Sequence, residues 1–141
     1  MEWTTELRYK RYEDWTEEEK KQIKENMAKS PWHTHYHVEP TSGLLNDPNG
    51  FSYFDGKWIL FYQNFPFGAA HGLKSWVQLE SDDLVHFNET GVKVFPDTPL
   101  DSHGAYSGSA MQFDDKLFLF YTGNVRDENW IRHPYQIGAL M

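Results

Sequence analysis

Asp47 is the residue whose neighbours best equip it for chemistry. It lies in Asn46-Asp47-Pro48-Asn49-Gly50, between two apolar stretches. A carboxylate held there is aimed by backbone rather than by a long side chain, as a nucleophile or general base requires. The same pentapeptide is also favourable turn chemistry, and on these five residues alone both readings stand. Gln63 ends the run Trp58-Ile-Leu-Phe-Tyr62, where it can face a ligand or simply terminate a strand. Ser107 and Ser109 flank Gly108, which permits close backbone approach. No His/Asp partner pattern accompanies them, so a serine nucleophile is not expected. His33, His35 and His37 alternate and in a strand would share one face. A metal needs three or four ligands, and no Cys or downstream His at ligand spacing supplies them. We expect no metal and no cofactor, with His37 hydrogen-bonding near the pocket of Asp47.

Two kinds of element must position these residues. Residues 15–29 read as a helix: Thr16 can cap it, Glu19 can complete the capping box, and Trp15, Ile23 and Met27 form a narrow apolar stripe. Ser30-Pro31 ends it. This helix is expected to pack on the outside of the main body, its acidic run forming a solvated face. From residue 32 onward the pattern is strands and turns. Strands are expected at 51–54, 58–63, 75–81, 85–87, 107–113, 117–122 and 136–141, with turns at Asp55-Gly56, Ser81-Asp82-Asp83 and Asp114-Asp115. The fold class is all-β, preceded by a short α-helix, and the chain divides into a helical extension (1–31) and a β-domain (32–141).

The β-region repeats. Phe54-Asp-Gly-Lys-Trp-Ile-Leu-Phe-Tyr62 matches Phe113-Asp-Asp-Lys-Leu-Phe-Leu-Phe-Tyr121 at six of nine positions, 59 residues apart. Such a period suits the blades of a β-propeller; two unrelated hairpins could also resemble each other by chance. Applied upstream, the offset places Asp47 on Tyr106, both at the start of an innermost strand facing a central channel. The length holds about two blades. Two blades cannot close a propeller, so an N-terminal piece of a longer protein is expected.

Composition narrows the partners. The net charge is −8 with no Lys/Arg cluster, which argues against nucleic acid. Aromatics make up 17% of the chain, which fits a packed β core or a surface that stacks on sugar rings. There is no Cys, hence no disulfide or thiolate framework. No signal peptide or 18-residue apolar span is evident, so a soluble cytoplasmic protein with no membrane partner is expected. Oligomeric state is not assigned.

Five motifs in order resemble glycoside hydrolase family 32, the β-fructofuranosidases. They are Tyr36-His37 through Asn46-Asp47-Pro48-Asn49-Gly50; Phe61-Tyr62-Gln63-Asn64; Trp76 with Ser81-Asp82-Asp83-Leu84-Val85-His86-Phe87; Tyr106-Ser107-Gly108-Ser109-Ala110; and Tyr121-Thr122-Gly123-Asn124. The resemblance implies a five-bladed β-propeller, of which this chain would hold the N-terminal two blades, followed in full-length members by a β-sandwich. It implies retaining hydrolysis of a β-fructofuranosyl bond, with Asp47 as nucleophile. Leu44, Leu45, Asn46, Gln63, His71, Trp76, Tyr106 and Ser107 would hold the sugar. The leading helix and the Phe67–Trp76 stretch are similar to the bacterial intracellular subgroup acting on sucrose 6-phosphate. Many other members carry Trp where His71 stands. Lys74 and Arg132 are the basic residues considered for the phosphate. The family's acid, a Glu in a Glu-Cys motif, and its Arg-Asp-Pro motif have no counterpart here; Arg126-Asp127 precedes Glu128 and reads as a loop ion pair or surface charge. This chain alone is therefore expected to be inactive. Two alternatives stay open: an inverting propeller glycosidase acting on arabinans, with Asp47 as general base, and a non-catalytic carbohydrate-binding segment.

Overall fold

The computed structural model describes residues 2–141. Two helices lead, α1 (Thr5–Arg8) and α2 (Glu17–Ala28), with a single 3₁₀ turn at Tyr12–Asp14 between them. The capping box forms as expected. Glu19 N–H donates to Thr16 Oγ1 at 3.2 Å, and Thr16 N–H donates to Glu19 Oε2 at 2.8 Å. Trp15 is buried and stacks on Phe67 at 4.3 Å, with Ile23 and Leu7 packed around the pair. Burial of this aromatic cluster, rather than helix propensity, holds the extension down. The segment before α2 was not foreseen as structured. It is pinned by the Leu73 N–H, which donates to the Arg8 carbonyl at 2.7 Å, and by the Tyr12 hydroxyl, which donates to the Leu73 carbonyl at 3.0 Å.

Seven antiparallel strands follow: β1 (Leu44–Phe54), β2 (Lys57–Phe65), β3 (Ser75–Ser81), β4 (Asn88–Val94), β5 (Ala105–Phe113), β6 (Lys116–Arg126) and β7 (Arg132–Leu140). They form two sheets, β1-β2-β3-β4 and β5-β6-β7, each a simple meander. Both repeated segments are hairpin tips. Phe54 pairs with Lys57 and Phe113 with Lys116. Asp55 and Asp114 take the left-handed conformation there, at φ 48° and 52°, which Asp tolerates in tight turns. Ile59, Phe61, Trp76 and Val94 of the first sheet pack against Ala105, Leu117, Leu119 and Tyr121 of the second. Tyr62, Val77 and Leu79 cover the first sheet's other face. Among the described residues no helix is long and apolar enough to cross a membrane.

Three expectations change. The stretch at 85–87 is not a strand. The Ser81 turn continues through it, because Asp83 Oδ1 accepts from the N–H groups of Val85 and His86 at 2.9 and 2.8 Å, an Asx-type arrangement that competes with sheet pairing. The strand lies next door in Asn88–Val94, a polar, Gly-containing edge that lacks apolar alternation. Second, β1 begins at Leu44 rather than Phe51. The Asn-Asp-Pro-Asn-Gly segment is a bulged strand, not a free turn: Asn46 pairs with Gln63 and Pro48 with Tyr62, leaving Asp47 as the extra residue. Pro48 is tolerated because a bulge removes the need for its missing N–H. Third, His33, His35 and His37 lie in irregular backbone before β1 and share no strand face.

Candidate active site

The bulge explains why Asp47 is aimed outward. An inserted residue bends its strand and leaves the ladder, freeing its side chain to point along a new direction. Asp47 takes φ 42° to do so, a conformation that Asp adopts more readily than most residues and that clusters at functional sites. A matching bulge occurs in the second sheet, where Tyr106 pairs with Thr122 and Gly108 with Tyr121, leaving Ser107 extra. Asp47 is therefore equivalent to Ser107 rather than to Tyr106. The repeat offset is 59 at the hairpins but 60 here, because β1 has a second bulge between Asn49 and Ser52 that β5 lacks.

The two bulges meet. Ser107 Oγ donates to Asp47 Oδ2 at 2.9 Å, and Gln63 Nε2 donates to the same oxygen at 3.1 Å and to Ser107 Oγ at 2.6 Å. Asn46 Nδ2 donates to Gln63 Oε1 at 3.2 Å, which fixes the amide so that its NH₂ faces the carboxylate. Asn49 ties the strands together: its Nδ2 donates to the Asp47 carbonyl, and its Oδ1 accepts from Gly108 N–H at 3.1 Å. A Cβ on Gly108 would collide with the Phe120 carbonyl, so the bulge that presents Ser107 requires glycine. Hydrogen bonds from Ser107 and Asn46, with the Lys74 ammonium and Gln63, hold Asp47 below the usual carboxylate range against a smaller opposing effect of burial.

Asp47 opens into a cavity of about 490 Å³ lined by Arg8, Tyr9, Asn46, Gln63, His71, Lys74, Tyr106, Ser107, Thr122, Arg126 and Arg132. Two larger clefts lie elsewhere, beneath α2 and beside the His33–His37 loop. Six of the nine residues singled out from sequence therefore converge: Asn46, Asp47, Gln63, His71, Tyr106 and Ser107. Three do not line the cavity. Leu44 packs beside Phe65 and Phe67, and Leu45 beside Tyr62 and Leu79, because alternation along β1 turns these apolar side chains into two separate cores. Trp76 is fully buried between the sheets, and its indole N–H donates to the Tyr106 carbonyl at 3.0 Å; it positions the cavity wall from behind. His37 faces the cleft beside α2, packed on Tyr36. Among the described residues no three His, Cys, Asp or Glu side chains are grouped to hold a metal.

The sequence reading missed Arg8, Tyr9, Thr122 and Arg126. Thr122 was findable, being Gln63 shifted by 59 residues. Arg126 is not simply a surface charge. Its Nη1 donates to the Trp130 carbonyl at 2.8 Å and its guanidinium lies over the Trp130 ring at 5.1 Å, while Asp127 pairs instead with His133. The cavity thus gathers four cations, Arg8, Lys74, Arg126 and Arg132, around a single carboxylate, in a chain of net charge −8.

Residues 37–141 match the glycosyl hydrolases family 32 N-terminal domain. Sucrose-6-phosphate hydrolase of Streptococcus mutans is 74% identical over 96% of this chain, which spans 28% of that protein. The solved sucrose-6-phosphate hydrolase of Lactobacillus gasseri superposes with a TM-score of 0.95 at 54% identity, over 99% of this chain and 29% of that one. A GH32 β-fructofuranosidase of Bombyx mori, solved as a mutant in complex with sucrose, gives 0.71 at 30% identity, over 90% of this chain and 28% of that one. The chain thus spans under a third of the relatives it matches, and it belongs to glycoside hydrolase family 32.

Proposed function

We propose that this chain supplies the nucleophile half of a retaining β-fructofuranosidase active site, and that the complete enzyme cleaves sucrose 6-phosphate. The carrying observation is Asp47 itself: a carboxylate on a strained bulge, kept ionised by Ser107, Asn46 and Gln63, at the wall of a sugar-sized cavity. The two sheets are the first two blades of a five-bladed propeller, with residues 1–31 an extension packed on its outside.

In the mechanism that follows, Asp47 attacks the anomeric carbon of the fructosyl ring while an acid protonates the departing glycosidic oxygen. Water then releases the covalent fructosyl intermediate, the acid now serving as base. The second carboxyl should stand about 5–5.5 Å from Asp47. Among the described residues Asp47 is the one carboxylate lining the cavity, so the acid comes from a part of the complete enzyme that this chain does not include. Asn46, Gln63, Tyr106 and Ser107 hold the fructosyl hydroxyls. The identities with sucrose-6-phosphate hydrolases support this substrate over arabinans. NMR of the complete enzyme's first turnovers tests the reading. Release of β-fructofuranose from sucrose 6-phosphate is expected; release of the α-anomer would assign an inverting mechanism instead.

A further inference from the structure

We propose that Arg8, Arg126 and Arg132 form an anion-binding rim that takes the phosphate of the leaving-group sugar, with Arg8 delivered by the N-terminal extension. This inference rests on the β-fructofuranosidase reading and names what that site does with charge.

Four observations converge. First, the cavity lining carries four cations against one carboxylate, although the chain as a whole is acidic. Like charges gathered around a shared cleft repel one another, and an anionic ligand relieves that repulsion. Second, the cationic groups divide by depth. Lys74 is buried on the Asp47 side, its ammonium 5.4 Å from the Tyr106 ring centre and within reach of the carboxylate's field. Arg132 is exposed, with its guanidinium over the Tyr106 ring at 4.8 Å, so Tyr106 separates the carboxylate end from the arginine end. Third, guanidinium donors remain unspent. Arg126 commits Nη1 to the Trp130 carbonyl and has no partner for Nη2 among the described residues. Arg8 uses its Nε on the His71 carbonyl, which orients the guanidinium as a fixed fork suited to phosphate oxygens. Fourth, the extension is built to hold that end. Tyr9 packs edge-on against Trp130 at 5.3 Å, the ring that carries Arg126, and its hydroxyl lies against Tyr106. One two-residue step thus sets Arg8 and Tyr9 among the other arginines.

The surrounding histidines register the same field. Lys74 foremost, with burial and Arg8, holds His71 below its usual value despite Asp47; burial foremost, with Arg126 and Arg11, does the same for His103. Both imidazoles are therefore biased toward the neutral form by the cations and by burial.

The test compares kcat/KM for sucrose 6-phosphate and for sucrose in the complete enzyme and in Arg132→Gln and Arg8→Gln variants. A charge-assisted bond to phosphate predicts that the phosphate preference, the ratio of the two constants, falls about tenfold or more in each variant. A ratio that stays constant, whether both constants hold or both fall together, would overturn the proposal. A wild-type enzyme that cleaves neither sugar would sink the hydrolase reading instead. The rim is then read directly by calorimetry with glucose 6-phosphate. Binding that Arg132→Gln weakens about tenfold sustains the rim, and equal binding overturns it. Inorganic phosphate bound as tightly as glucose 6-phosphate would overturn the assignment to a sugar phosphate.

Discussion

Asp47 illustrates how far residue types alone can lead. Its neighbours allowed an aimed carboxylate and a plain turn alike, and Gln63 and Ser107 were singled out with it; the structure joins all three around one oxygen. Arg8 and Tyr9 were invisible, because nothing in a local pattern shows that a segment 38 residues upstream of Asp47 folds back over its cavity. The leading cause of Asp47's lowered pKa is Ser107. A depressed carboxylate remains in its reactive, ionised form down to a pH below the ordinary aspartate value of about 3.9, and any associated stabilisation is lost only as pH falls through the depressed value. Ser107→Ala is therefore expected to raise the Asp47 pKa and move the acid limb of the kcat/KM profile to higher pH. An acid limb left in place would show that Ser107 does not tune the nucleophile.

At the scale of elements, the hairpins and the capped helix were readable because turn residues and caps act over a few positions. The three bulges, two in β1 and one in β5, were not. They insert one residue each without any change in composition, and the second bulge in β1 is what shifts the repeat from 59 to 60 and moves Asp47 from Tyr106 onto Ser107. Gly108→Ala tests whether this local geometry matters: the Phe120 carbonyl leaves no room for the methyl group, so the bulge must open. We expect lower thermal stability together with loss of turnover; a fully active variant would contradict the role given to the bulge. The α2 extension is tested by Trp15→Ala, which empties the stack on Phe67. A loss of about 3 kcal/mol is expected from removal of a buried aromatic ring, read from denaturant unfolding of the complete enzyme. A change within about 0.5 kcal/mol, typical of surface substitutions, would show that the extension is not held by this contact.

As a whole molecule, the chain presents an unbalanced pair of sheets. The first packs side chains of both faces into apolar clusters and leaves Phe51 and Tyr53 of β1 exposed, whereas the second leaves Met111, Phe113, Phe120, Tyr135 and Leu140 exposed. That apolar surface is what the third blade of the proposed propeller would cover. The cavity likewise has one carboxylate, Asp47, among four cationic side chains and no second carboxylate among the described residues. Residues 1–141 purified alone are accordingly expected to release no fructose from sucrose or sucrose 6-phosphate, and detectable hydrolysis would place the acid within this chain. The most direct test of the central claim is turnover of sucrose 6-phosphate by the complete enzyme carrying Asp47→Asn, which keeps the side chain's size and removes its charge. With Asp47 as nucleophile, kcat falls by roughly 10⁶-fold, the scale seen when a covalent nucleophile is removed, while the folded state persists. Turnover within about tenfold of wild type, a loss of only about 1.4 kcal/mol in barrier terms, would contradict it.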